Sequence, residues 1–232
     1  MEKIALRNLV LEKEGMVARI SNFPVSHAFS TLKAGNMSLR WGLQEEVKRN
    51  AEKFYQFSGF SLEKRAHILP QFGKKIVEVK KNIVGKIIKC DGLFTFLPKI
   101  TLSLYPGDCY PIILTGSSLI MLLHGSLKSV KKGILSQGVK IFIKYGFSPQ
   151  EIKAGIGPGI RECCYHTNLE ERIVTQLVKS GIPKENIFLA NVCTCCTQEG
   201  KEYLFFSHTR SKITGEKEGR FAALAKLEGS FS

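Results

Sequence analysis

Two residues with reactive side chains, Cys109 and His124, lie at the ends of neighbouring apolar runs in this sequence. Residues 110–114 and 119–123 have the composition of buried strands, and glycines mark where the chain turns out of them. Two such strands that end together bring a thiol and an imidazole to one rim of a sheet. That pair can hold a metal ion or act as nucleophile and base. The alternative is a small core cysteine and a capped strand end.

The elements that must position this pair are apolar strands with a few helices between them. Hydrophobic spacing predicts strands at residues 100–105 and 152–156, and helices at residues 45–57, 129–145 and 169–180. Residues 221–227 are expected to begin a last helix. Many strands with few intervening helices indicate a mixed α/β domain rather than a regularly alternating, doubly wound sheet.

Composition narrows the class of protein. The chain has 232 residues, of which 44% are hydrophobic and 23% are charged, which is ordinary for a globular protein. No apolar run approaches 18 residues and the N-terminus does not resemble a signal peptide, so we expect a cytoplasmic protein with no membrane span. Seven cysteines, an odd number, argue against a disulfide framework.

The net charge is +14, from 34 basic and 20 acidic residues. The lysines are scattered, and no dense basic run is interleaved with aromatic residues. A nucleic-acid partner is therefore not expected. The positive charge does suit a small substrate that carries phosphate.

Six short segments, in order, resemble the laccase-domain family, which has been described both as multicopper polyphenol oxidase and as purine nucleoside phosphorylase. Each segment alone is a weak signal, but six in the same order make a chance match improbable. They are Gly107-Asp108-Cys109-Tyr110-Pro111, His124-Gly125-Ser126-Leu127-Lys128-Ser129, Gly157-Pro158-Gly159-Ile160-Arg161-Glu162-Cys163-Cys164-Tyr165, Cys193-Thr194, Phe205-Phe206-Ser207-His208-Thr209-Arg210 and Gly219-Arg220. Upstream, Asp91-Gly92-Leu93-Phe94-Thr95 is similar to a further family segment.

The resemblance implies a single-domain α/β layered sandwich over residues 1–232, with central mixed β-sheets and outer helices. It also implies phosphorolysis of adenosine or inosine, with adenosine deamination as an additional activity. The family's site holds zinc between a cysteine and two histidines, and Cys109 and His124 match two of these ligands. The third ligand is not identified, because Phe72 stands where the second histidine belongs. His67, five residues earlier, is a less favoured replacement.

The same resemblance implies roles for other residues. Cys109 and His124 are the expected catalytic residues, with Asp108 as a positioning group. The expected substrate-binding residues are Lys128, Arg210 and Arg220, as contacts to an anion, and Tyr165 and His208, as pocket residues. Lys128 replaces an arginine of the family and so lacks the planar fork that grips phosphate with two bonds.

Three alternatives remain open at this stage. One is a copper-dependent polyphenol oxidase, which five histidines are too few to support. Another is a catalytically impaired member that acts as a binding protein, and the last is a metal-free cysteine hydrolase that uses Cys109 and His124. The run Cys193-Thr194-Cys195-Cys196 is interpreted as a sulfur-rich loop rather than a second metal site, because the adjacent Cys163 and Cys164 are poorly spaced to complete one.

Overall fold

Two mixed β-sheets packed face to face form the centre of the molecule. The structure is a computed structural model that describes residues 4–6 and 8–228. One sheet has the strand order β1-β2-β3-β4-β16-β9-β5-β7 and the other has the order β13-β12-β10-β11-β8-β6, while β14 and β15 form a small separate hairpin. The strands are β1 (Ile4–Leu6), β2 (Leu9–Glu12), β3 (Val17–Ile20), β4 (Ser26–Ser30), β5 (Arg65–Leu69), β6 (Ile76–Glu78), β7 (Ile87–Lys89), β8 (Gly92–Thr95), β9 (Thr101–Leu104), β10 (Tyr110–Thr115), β11 (Ile120–Gly125), β12 (Lys153–Ile156), β13 (Ile187–Leu189), β14 (Gln198–Glu199), β15 (Glu202–Tyr203) and β16 (Ala223–Lys226).

Helices cover the outer faces of both sheets. They are α1 (Gln44–Ser58), α2 (Leu127–Lys131), α3 (Ile134–Lys144) and α4 (Leu169–Lys179), and a further helix, α5 (His208–Thr214), precedes the last strand. The apolar face of α1 packs on the first sheet through Phe54 and Tyr55. On the second sheet, Phe142 of α3 and Ile173 of α4 close the opposite face. The expected α/β sandwich with central mixed sheets and outer helices is thus confirmed.

The core between the two sheets explains why their strands are continuous apolar runs. Leu102 and Leu104 from one sheet meet Ile113, Ile120 and Leu122 from the other, and all five are fully buried. Alternate residues of the second sheet face the helices instead, so β10 and β11 are buried on both sides. Strands covered on both faces are read from sequence as uninterrupted hydrophobic segments. None of the helices in the described part of the chain is long and apolar enough to cross a membrane.

Two of the helices expected from sequence are different in the structure. The segment 221–227 does not begin a helix: Ala223–Lys226 is strand β16, which pairs on both sides with β4 and β9. Residues 129–145 do not form one helix either, because the chain breaks at Gly133, whose φ of +81° is easily reached only by glycine. Gly138, the expected weak point, lies inside α3 and gives room to Met121.

Candidate functional site

The hairpin of β10 and β11 brings Cys109 and His124 to the same end of the second sheet. Pro111 pairs with His124 and Tyr110 pairs with Gly125 in the antiparallel register, and Cys109 directly precedes β10. Both side chains line one open pocket of about 450 Å³, which we call the Cys109 pocket. Cys109 lies close enough to His124 to help raise the pKa of its imidazole. The adjacency inferred from two strands that end together is therefore present.

A buried carboxylate, Asp91, orients His124 from behind. Its Oδ1 lies 3.0 Å from Nδ1 of His124, and Asp91 itself is fully buried. The same carboxylate accepts backbone hydrogen bonds from Gln71 at 3.2 Å, Phe72 at 2.9 Å and Gly73 at 2.8 Å. These bonds fix the imidazole and leave its second nitrogen on the side of Cys109.

The charge of this pair follows from these contacts. Burial alone would lower the pKa of His124, but its hydrogen bonds to Asp91 and Cys109 outweigh burial and raise that pKa to about 9. Burial would likewise raise the pKa of Asp91, yet the bonds from His124 and from the backbone hold it below its ordinary value. At neutral pH the pocket therefore contains an imidazolium backed by a carboxylate.

The turn at residues 71–73 carries an exposed aromatic ring into the pocket. Phe72 has φ of +56°, a left-handed conformation that costs a residue with a β-carbon roughly 1–2 kcal/mol. Its N–H is held by Asp91 and its carbonyl accepts a bond from Lys132 Nζ at 3.0 Å. The ring stands edge-on to His124, with 5.2 Å between centroids, and Phe72 remains 46% exposed. Phe72 is thus an apolar wall of the pocket.

The facing wall is cationic. Arg40 and Arg220 lie on the ring of Trp41, at 5.0 Å and 5.4 Å from its centroid, and all three residues line the pocket. Lys212 from α5 also lines the pocket. Since guanidinium and ammonium groups are the usual partners of phosphate, this wall suits an anion.

Glu218 does not line the pocket, but its carboxylate binds two residues that do, His208 and Arg220. Glu218 Oε1 lies 2.8 Å from an Arg220 nitrogen and 2.6 Å from Nδ1 of His208. Burial would raise the pKa of Glu218, but its bonds to His208 and Arg220 outweigh this and lower it. Glu218 therefore stays ionised and holds His208 and Arg220 in place.

Asp108 lines the pocket, and both of its carboxylate oxygens accept hydrogen bonds from neighbouring segments. Its Oδ1 accepts a bond from the Thr194 hydroxyl at 2.7 Å, and its Oδ2 accepts one from the Thr209 N–H at 2.7 Å. These bonds tie the loop before Cys109 to the turn at residues 193–197 and to the start of α5. Asp108 thus holds together segments of the chain that surround the pocket.

Three of the expected substrate-binding residues lie outside the pocket. Arg210 is buried, and its guanidinium donates to the carbonyls of residues 194, 195 and 205 and pairs with Glu216 at 2.7 Å. Lys128 is exposed on α2 and is not part of the pocket wall. Tyr165 stacks on His166, at 4.2 Å between centroids, beside a small sulfur-rich core. We therefore remove Arg210, Lys128 and Tyr165 from the residues assigned to the substrate.

The donor set of the pocket does not fit a zinc ion. A catalytic zinc takes three protein ligands, and within residues 4–6 and 8–228 no third histidine, cysteine or carboxylate forms a metal-sized group with Cys109 and His124. His67 does not replace the missing ligand, because it lies in β5, bonds to Ser103 Oγ at 3.0 Å and packs on Tyr105. Phe72 occupies the side of His124 where that ligand was expected.

Sequence reasoning missed four residues of this site. Asp91 was noted only as part of a family-like segment, although an acid directly before a buried strand is a usable signal. Arg40, Trp41 and Lys212 line the pocket from distant parts of the chain, and the sequence assigned a site role to none of them. Only the fold places them together.

Residues 25–172 and 165–228 match the family described as Multi-copper polyphenol oxidoreductase laccase. Together these ranges cover most of the chain, which therefore belongs to that family.

Individual proteins that are similar to this chain are named for a different activity than the family is. The chain is 26% identical over 223 residues to a Geobacillus stearothermophilus protein named purine nucleoside phosphorylase YlmD, across 77% of this chain and 79% of that one. It is 28% identical over 134 residues to an Aquifex aeolicus protein named purine nucleoside phosphorylase, across 49% of this chain and 63% of that one. The crystal structure of the Bacillus licheniformis hypothetical protein YfiH has the same fold, with a TM-score of 0.84 at 24% identity over 96% of this chain and all of that one.

Proposed function

We propose that this chain is a purine nucleoside phosphorylase whose reaction takes place in the Cys109 pocket. The observation that carries the proposal is the placement of the His124 imidazolium, backed by Asp91, in the same pocket as a cationic wall and the aromatic side chains of Phe72 and Trp41. Relatives that are named purine nucleoside phosphorylase support it. Because the pocket draws on both sheets and on α5, we treat the chain as one catalytic unit.

The pocket offers separate surfaces to the two substrates. Phosphate suits the wall of Arg40, Arg220 and Lys212, where planar guanidinium groups can bind two oxygens at once. The purine suits the apolar rings of Phe72 and Trp41, which can pack against its faces. A volume of about 450 Å³ lies within the ordinary range for small-molecule sites.

The chemistry then follows from the charges. A phosphate oxygen forms a bond to C1′ of the ribose while the bond from C1′ to the purine nitrogen breaks. The electron pair of that bond moves onto the purine, and the His124 imidazolium supplies a proton to the departing base. Asp91 stabilises the imidazolium before the transfer. The products are ribose 1-phosphate and the free purine.

Metal chemistry is not used in this scheme. The zinc expected at Cys109 and His124 has two protein donors, one fewer than a catalytic zinc takes, so we route no step through it. Adenosine deamination would need a metal-activated water at the same place, and we do not carry it forward. A multicopper oxidase would need clusters of imidazoles, and the described residues bring none together.

The test is an assay of inosine and adenosine with and without inorganic phosphate, in which ribose 1-phosphate and free base are both measured. The wild-type protein should release base only when phosphate is present, and in amounts equal to ribose 1-phosphate. Cys109→Ala should be slower, because the thiol helps to hold the His124 proton in place. Release of base at the same rate without phosphate, or no product from either nucleoside, would reject the proposal.

A second candidate is favoured by one observation. Asp91, His124 and Cys109 stand in the order of orienting acid, base and nucleophile, as in metal-free cysteine hydrolases. In that case alkylation of Cys109 at neutral pH would abolish all turnover of an acyl substrate. In the phosphorylase no acyl-enzyme forms, so mass spectrometry of the protein mixed with activated esters should find Cys109 unmodified.

A further inference from the structure

Four cysteines outside the Cys109 pocket meet at one point. Cys163, Cys164, Cys193 and Cys196, the four-cysteine cluster, have their sulfur atoms within 4.8 Å of one another. Two of these sulfurs, those of Cys163 and Cys196, are 3.4 Å apart. Four sulfurs around a tetrahedral zinc with Zn–S bonds of about 2.3 Å are separated by about 3.8 Å. The spread of the cluster therefore matches a tetrahedral ion that all four sulfurs bind.

The backbone around Cys193 is arranged to stabilise a thiolate. The N–H of Arg161 points at Cys193 Sγ, at 3.4 Å, and the N–H groups of Cys195 and Cys196 are directed to the same sulfur. Cys193 and Cys196 are also spaced as C-x₂-C, a ligand spacing of structural zinc sites.

Adjacent cysteines are poor chelators in an extended chain, and a turn removes this difficulty. The N–H of Cys164 bonds to the carbonyl of Arg161 at 2.9 Å, which folds residues 161–164 tightly. As a result the Cys163 sulfur reaches Cys196, while Cys164 packs against Cys193 and Cys195. Both neighbours therefore approach the turn at residues 193–196.

Backbone bonds bring the two segments together without help from sulfur. Gly159 and Cys193 form a parallel bridge, and the N–H of Thr194 bonds to the Gly159 carbonyl at 3.1 Å. The turn closes by a bond from the Thr197 N–H to the Cys193 carbonyl at 3.0 Å. The cluster is thus largely formed by the fold, and a metal ion would need only small sulfur movements.

We propose that the four-cysteine cluster is a structural zinc site. Four thiolates complete a tetrahedron and leave no open position, which is the arrangement of structural rather than catalytic zinc. The fifth sulfur nearby, that of Cys195, is buried and lies outside the group. The exposed Cys163 and Cys196 give the ion access from solvent.

Such an ion would support the Cys109 pocket through existing bonds. Thr194, inside the cysteine turn, donates to Asp108 at 2.7 Å beside Cys109. Arg210 of α5 donates to the carbonyls of Thr194 and Cys195 at 2.9 Å each. The turn therefore positions both the loop before Cys109 and the helix that carries Lys212.

The test is the metal content of the full chain, purified under reducing conditions and supplied with zinc. We expect about one zinc per chain in the wild type, and less than about a tenth of that in Cys163→Ser and Cys196→Ser. Both substitutions are at exposed positions, which favours folded variants. Cys195→Ala is the matched control from the same turn, and Cys109→Ser removes the thiol of the pocket. Both controls should keep the zinc.

Three results would overturn the assignment. One is a reduced wild-type protein that binds no zinc, and another is zinc that is lost in Cys109→Ser but kept in Cys163→Ser. The third is iron as the bound metal. If the cluster variants fail to fold, cobalt titration of the wild type decides instead. The visible spectrum should then be that of tetrahedral cobalt with four thiolates, and a spectrum with fewer thiolates would reject the site.

Discussion

The Cys109 pocket and the four-cysteine cluster both contain reactive sulfur, yet their surroundings differ in every property that matters for chemistry. The pocket has one thiol beside a charged imidazole, an open mouth and a cationic wall. The cluster has four thiols within bonding reach of a common centre and backbone N–H groups directed at one of them. The number of donors favours metal in the cluster, and the charge favours an anionic substrate in the pocket. Cysteine alone therefore does not identify the function of either region.

The largest expected effect is that of a substitution at Asp91, which should impair the pocket and leave the cluster unchanged. Asp91→Asn should lower kcat/KM for phosphorolysis about a thousandfold, because it removes the charge that holds His124 protonated and oriented. Zinc content should stay unchanged, since Asp91 is not one of the residues of the cluster. Steady-state kinetics and metal analysis of the same sample provide the check. Loss of zinc in this variant would show that the pocket, not the cluster, binds the metal.

Zinc removal should affect the four-cysteine cluster rather than the Cys109 pocket. A ligand present at a thousand times its dissociation constant stabilises the folded state by about 4 kcal/mol, which corresponds to roughly 10 °C in Tm for a chain of this size. A strong chelator should therefore lower the Tm of the wild type by about that amount. Calorimetry of Cys163→Ser with the same chelator is the control and should show no change. Equal shifts in both proteins would contradict a zinc in the cluster.

The cationic wall gives a smaller and more specific effect. Arg220→Ala should raise the KM for phosphate about thirtyfold, since a charge-assisted hydrogen bond contributes roughly 2 kcal/mol. Lys128→Ala is the matched control, because that side chain is exposed outside the pocket. Initial rates over a range of phosphate concentrations measure both. A larger effect of Lys128 than of Arg220 would place the anion elsewhere.

The pH dependence tests the protonation state of His124. A general acid works in its protonated form, and the pKa of His124 is raised to about 9, so turnover should persist at neutral pH and fall about tenfold for each pH unit above 9. Asp91→Asn removes a contact that raises this pKa, so the alkaline limb should move to lower pH. Rates measured from pH 6 to about pH 10.5 cover the alkaline limb of both proteins. An alkaline limb at the same pH in both proteins would exclude His124 as the acid.

The closeness of Cys109 and His124 was predictable because the residues next to them in sequence indicate it. Uninterrupted apolar runs that end at Cys109 and His124 indicated buried strands, and the glycines marked their ends. The final strand was not predictable in this way. Ala223–Lys226 is rich in alanine and suggested a helix, but it is buried between β4 and β9, and the ladder bonds there outweigh its local preference.

The roles of residues whose contacts are distant along the chain could not be predicted from the sequence. Arg210 looked like an anion contact, yet its donors are taken by three carbonyls and Glu216 that the fold brings to it. The cysteine turn looked like a simple loop because Cys163 and Cys164 are about 30 residues away from it. Spacing along the chain does not report such distances, whereas the Gly159–Cys193 bridge creates them.

The most direct test of the account is phosphate-dependent cleavage of inosine by His124→Ala, with His166→Ala, an exposed histidine outside the pocket, as its control. We expect ribose 1-phosphate formation to fall about a thousandfold in His124→Ala while zinc remains bound, and to be unchanged in His166→Ala. Turnover by His124→Ala at the wild-type rate would contradict the central claim that this imidazole drives the reaction.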